Sequence, residues 1–102
     1  MMRIPKGVVE QAIGAYSEGS LRPADLLDGT REAVATLHAL IVRSLPPDRQ
    51  PYIKGLLRVV EEATPEELDG IIEQVNDLLP EGYYLGSAEG DPALFGIWRE
   101  VE

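Results

Sequence analysis

Within residues 7–17, 31–45, 53–60 and 68–79 the apolar side chains recur three and four positions apart, and at Pro80-Glu81-Gly82 that recurrence stops. A period near 3.6 marks amphipathic helices that bury one face, so most of this chain must fold as helices packed on one another. Beyond residue 82 the chain obeys a different rule. Proline and glycine divide the helical part, and their positions set how many helices there are.

Residues 7–17 place Val8, Val9, Ala12, Ile13 and Tyr16 on one stripe, which predicts a first helix ended by Ser17-Glu18-Gly19-Ser20. Residues 20–29 read as a connector with at most one turn of helix at Pro23. Asp28-Gly29 marks a turn, and Thr30 is placed to cap the next helix. Over 31–45, Val34, Leu37, Ile41 and Leu45 share a face that Ala33, Leu40 and Val42 widen, as a central helix requires. Pro46-Pro47 ends it. Asp48 is placed to cap a third helix with Pro51 in its first turn and Ile53, Leu56, Leu57 and Val60 inside. Thr64-Pro65-Glu66-Glu67 is a capping box with proline at the first helical position, opening a fourth helix on Leu68, Ile71, Ile72, Val75, Leu78 and Leu79.

Tyr83-Tyr84-Leu85 and Leu94-Phe95-Gly96-Ile97-Trp98 are aromatic and branched, as strands are, and turn formers separate them. The pattern predicts a hairpin with a loop of roughly four to seven residues. Phe95 and Ile97 would share one face and Trp98 the other. Gly86 and Gly96 would lie near each other, where missing side chains admit an aromatic ring or another backbone. The segment Pro80-Glu81-Gly82-Tyr83-Tyr84-Leu85-Gly86, followed by Glu89-Gly90-Asp91 and Phe95-Gly96-Ile97-Trp98, resembles the C-terminus of short uncharacterised bacterial and phage proteins. Leu85, Pro92 and Ile97 depart from that pattern, which has aromatic, glycine and aromatic residues there. The resemblance covers about a fifth of the chain and implies no activity for any residue.

The expected fold is therefore α+β: mainly α-helical, about four helices in a small orthogonal or antiparallel bundle, with a C-terminal β-hairpin. One domain spans 1–102, helical over 1–81 and hairpin over 82–102. At 102 residues, 44% hydrophobic and 26% charged, the chain suffices for one core. It has no cysteine, which removes disulfides and thiolate chemistry, and no apolar run long enough to span a bilayer. A cytoplasmic location without membrane contact is the expectation. Seven arginines to two lysines, with Asn76 the single asparagine, fit the composition of a heat-tolerant protein.

Charge divides the chain unevenly. Residues 1–60 carry eight basic and six acidic groups, whereas residues 61–102 carry twelve acidic groups and Arg99 alone as a base. That half repels phosphate, which argues against direct nucleic-acid binding. Catalytic signatures are missing: no phosphate-binding glycine loop, nucleophile elbow or HExxH stretch occurs. Glu61-Glu62 and Glu66-Glu67 are adjacent pairs whose side chains diverge by about 100° on a helix. Glu89-Gly90-Asp91 lacks the ligands of a calcium loop. His38 is the one histidine. No cofactor or metal is expected. The leading expectation is a small, acidic, non-enzymatic protein-interaction module that binds a protein partner or itself, as a homodimer, through Tyr83, Tyr84 and Trp98 or through Glu66, Glu73 and Asp77. The alternatives are an acidic mimic of nucleic acid that inhibits a nuclease or DNA-binding protein, and a small enzyme pairing His38 with a carboxylate.

Overall fold

The computed structural model describes residues 3–51 and 53–100, so the last two residues of the expected hairpin segment lie outside it. Its order is α1 (Lys6–Glu10), β1 (Gly14–Glu18), α2 (Pro23–Ser44), a 3-10 turn at Pro47–Arg49, α3 (Lys54–Glu62), a 3-10 turn at Pro65–Glu67, α4 (Leu68–Leu78), β2 (Tyr83–Ala88) and β3 (Asp91–Arg99). The class is α+β. The four helices and the C-terminal hairpin are present, but the sheet has three strands, ordered β1-β3-β2 and antiparallel throughout. No helix among the described residues is long and apolar enough to cross a membrane.

The first expected helix is the main correction. It stops at Glu10, and Gly14–Glu18 is instead a strand pairing Gly14 with Ile97 and Ala15 with Gly96. Gly14 has φ 151°, a value that side-chain-bearing residues rarely adopt. The register shifts between Ala15 and Ser17, so Tyr16 forms a bulge. Its hydroxyl donates back to the Ala12 carbonyl at 2.7 Å. A two-stranded hairpin leaves β3 with an open edge, and β1 fills that edge.

The connector expected at 20–29 is also helical. Pro23 opens one continuous helix to Ser44, with Asp25 in its first turn and Arg43 in its last, both favourable to the helix dipole. Gly29 is buried where β1 crosses: a Cβ there would stand 3.1 Å from the Tyr16 carbonyl oxygen. Thr30 caps nothing. Its hydroxyl is fully buried and donates to the Leu26 carbonyl at 2.8 Å. After Pro46, Asp48 sits in the short 3-10 turn, and α3 waits until Lys54. Pro51 disfavours helical geometry at the residue before it, and Gln50 is extended at φ −77° and ψ 125°, so no helix runs on from Asp48.

α2 packs against α1, α3, α4, β1 and β3 and forms the centre of the core. Leu27, Val34, Leu37 and Ile41 on its inner face meet Ile71 and Val75 of α4 and Phe95 and Ile97 of β3, all at most 2% exposed. Thr64 and Glu67 close the expected capping box, the Thr64 N–H donating to Glu67 Oε1 at 3.0 Å. The hairpin turn is tighter than expected, since Ala88 already pairs with Asp91 across Glu89-Gly90. The slack appears in β3 instead. Pro92 falls in an irregular stretch before the Phe95–Ser87 pair resumes regular pairing, where its missing N–H breaks no ladder bond.

Candidate functional site

Alternation along β2 and β3 sends Leu85, Phe95 and Ile97 into the core and Tyr84, Gly86, Gly96 and Trp98 to the opposite face. Gly86 lies directly across from Gly96, and each admits what its missing side chain allows. The Tyr84 ring lies over Gly86, within 3.4 Å of where a Cβ would stand. The backbone of Gly14 and Ala15 closes over Gly96. Trp98 pairs across from Tyr84 and donates its indole N–H to the Gly86 carbonyl at 3.0 Å. Both rings are half-buried, anchored at one end and open at the other.

Tyr83 faces the helix side, where its ring packs against the core and its hydroxyl donates to the Glu10 carboxylate. Arg99 donates to the same carboxylate, with Nε 3.0 Å from Oε1. This trio ties α1 to the hairpin. Arg99 first, and then Tyr83, hold the Glu10 carboxyl below its ordinary value of 4.5, while Glu10 pushes the Tyr83 phenol upward. A carboxyl depressed in the folded state stabilises above its unfolded pKa and loses that contribution as pH falls through the folded value. Acidification below the ordinary glutamate range is therefore expected to loosen α1 from the hairpin. An NMR titration of the Glu10 carboxyl should show a low midpoint that rises in Arg99→Ala.

The β2 edge is closed by one side chain. Asn76 of α4 accepts from the Leu85 N–H at 2.8 Å and donates to the Leu85 carbonyl at 3.3 Å, as a neighbouring strand would. The Tyr84 hydroxyl donates to the Ser87 carbonyl at 3.1 Å, and the Tyr83 N–H is held by Pro80. Beside this closed edge run two cavities. One, of about 540 Å³, includes Arg3, Pro80, Glu81, Tyr83, Tyr84 and Glu100 in its lining; the other, of about 470 Å³, is lined by Tyr84, Ser87, Glu89 and Glu100. They share Tyr84 and Glu100 and so adjoin as one furrow, whose lining includes Glu81, Glu89, Glu100 and Arg3 together with Tyr84.

The other expected interaction residues lie elsewhere. Glu66 is exposed in the 3-10 turn before α4, and Glu73 and Asp77 stand exposed one turn apart on α4. None of the three lines the furrow. All eight carboxylates between Glu61 and Glu81 are exposed. Among the described residues, no group of three or more acidic or histidine side chains is placed to hold a metal ion. His38 is half-buried and lines a cavity of about 210 Å³ with Ile41, Pro47, Gln50, Pro51, Ile53 and Lys54, and among the described residues no carboxylate lines it.

Sequence reasoning missed one charged hollow. Glu18, Asp25, Asp28 and Glu32 line a cavity of about 410 Å³ between β1 and the first turns of α2. Asp25, Asp28 and Glu32 recur at helical spacing, a signal visible only once α2 is known to begin at Pro23. Ser20 donates to Asp25 at 2.6 Å, and Arg31 pairs with Asp28 at 2.7 Å, which accounts for two of the four. Comparison with protein-family models, curated proteins and solved structures gives no match for this chain.

Proposed function

We propose that the chain works as a protein-interaction module with no chemistry of its own, and that it holds a basic, extended segment of a partner protein in the furrow along β2. The observation that carries this reading is that Glu81, Glu89 and Glu100 line the two adjoining cavities that share Tyr84, against one cation in the lining, Arg3. Carboxylates that flank an open aromatic face suit lysine and arginine, whose charge pairs with the acids while the stem covers the ring. Because Asn76 already occupies the Leu85 backbone groups, the segment is gripped by side chains and does not join the sheet as a fourth strand.

Mimicry of nucleic acid has less support. Asp69, Glu73 and Asp77 rise about 6 Å apart along α4. Duplex DNA carries one charge per roughly 1.7 Å of axis on two strands, a density that this single row does not reach.

The test uses a fluorescent peptide of alternating lysine, arginine and apolar residues. Its affinity should fall steeply between roughly 0.1 M and 1 M salt, as the Debye length shrinks from about 10 Å to about 3 Å. Tyr84→Ala should weaken binding by about tenfold, the equivalent of about 1.4 kcal/mol. Affinity indifferent to both salt and Tyr84 would refute the reading.

A further inference from the structure

A second surface lies away from the furrow, where the C-terminal half of α2, the 3-10 turn and α3 meet around the His38 cavity. Lys54 lines that cavity, Arg58 follows it one turn along α3, and Arg43 and Arg49 are exposed on the neighbouring elements. Two of the chain's exposed large apolar side chains lie beside them, Val42 at 52% and Val59 at 43%. Among the described residues the ion pairs are Arg31 with Asp28 and Arg99 with Glu10, so these four cations have no ion-pair partner among those residues.

Folding does not explain their placement. Lys54 opens α3 and Glu61 and Glu62 close it, each at the end of the helix dipole that disfavours its sign. On α4 the exposed acids Asp69, Glu73 and Asp77 follow one another at four-residue spacing and repel, again without an ion-pair partner among the described residues. Among the described residues, Lys54 and Arg58 thus form a cationic pair one turn apart on α3, and Asp69, Glu73 and Asp77 an acidic row on α4, with no ion pair to either. We infer that the α2–α3 face docks the acidic α4 of a second copy of this chain, with Lys54 and Arg58 set against Glu73 and Asp77. A second copy shares the net charge of −9 and so meets the same long-range repulsion as nucleic acid or an anionic membrane, but its α4 presents Glu73 and Asp77 on a helix at the same four-residue spacing as Lys54 and Arg58, so the two rows match charge for charge. Since neither face uses the furrow, this inference stands apart from peptide binding there.

Sedimentation velocity against protein concentration tests it. At low salt the protein should sediment as more than a monomer, and at roughly 1 M salt as a monomer. Lys54→Glu/Arg58→Glu and Glu73→Lys/Asp77→Lys should each be monomeric at low salt, with circular dichroism unchanged because all four positions are exposed. An equal mixture of the two variants should regain association, since each then supplies the charge that the other has reversed. Lys54→Glu also suits the α3 dipole, so thermal stability should hold or rise while association falls, a separation that a misfolded variant cannot give. A wild-type protein monomeric at every concentration in low salt would overturn the inference. So would variants that associate like wild type, or a mixture that stays monomeric.

Discussion

Gly96→Ala is expected to cost at least about 3 kcal/mol and to lower the thermal midpoint by about 12–24 °C, the scale for a domain of this size. A Cβ on Gly96 would stand 2.9 Å from Ala15 Cα and 2.8 Å from the Gly14 carbonyl carbon, and closer still to the Gly14 oxygen. All three are backbone atoms, so no side chain can turn aside to make room. Either β1 leaves β3 or the central strand shifts against the core that holds Phe95 and Ile97. Gly70→Ala on α4 is the matched control. Nothing lies within 4 Å of its added carbon, so helix propensity alone acts, and stability should rise by up to about 1 kcal/mol. Thermal unfolding followed by circular dichroism reads both. Equal effects at the two positions would show that β1 does not close over Gly96.

Asn76→Ala is expected to cost about 2 kcal/mol, the usual scale for stranding partly buried polar groups. The variant strips the Leu85 N–H and carbonyl of their partner together. Urea unfolding should show the loss. Hydrogen exchange should localise it, with the Leu85 amide losing protection while the amides of β3, flanked by strands on both sides, keep theirs. Asn76→Asp separates the two bonds. It retains an acceptor for the N–H but sets a carboxylate oxygen against the Leu85 carbonyl, so lowering the pH should relieve part of its defect. A Leu85 amide protected equally in wild type and Asn76→Ala would rule out Asn76 as the cover of this edge.

What was legible in the sequence was local. The Thr64-Pro65-Glu66-Glu67 start signal is met by the Thr64 N–H donating to Glu67 Oε1, because a capping box is completed within four residues. The hairpin and its facing glycines were legible for the same reason: strand, turn and strand are contiguous. β1 was not. Val8, Val9, Ala12, Ile13 and Tyr16 fit a helical stripe, and the partner that makes Gly14–Glu18 a strand lies at the far end of the chain. Gly29 misled in the opposite direction. A glycine after aspartate reads as a turn, but this one is a notch in α2 for the Tyr16 backbone. Cutting the helix there also hid the Asp25, Asp28 and Glu32 face of the acidic hollow. Of the candidate interaction residues, Tyr83 and Tyr84 come together in one furrow with Glu81 and Glu100, whereas Glu66, Glu73 and Asp77 were legible as exposed but not as belonging to a different surface.

The strand order has a consequence for synthesis. Of these three strands β3 is made last and is the one that both others need, and β1, made before them, has no neighbour until β3 arrives. Helices α1 to α4 are complete on a growing chain well before any sheet can exist, and Gly14 must wait for Ile97 across nearly the whole sequence. Loop closure over that distance is slow compared with forming a helix or a hairpin. A ribosome stalled before residue 91 would therefore carry a helical intermediate with its apolar side open, dependent on chaperones until β3 completes the sheet.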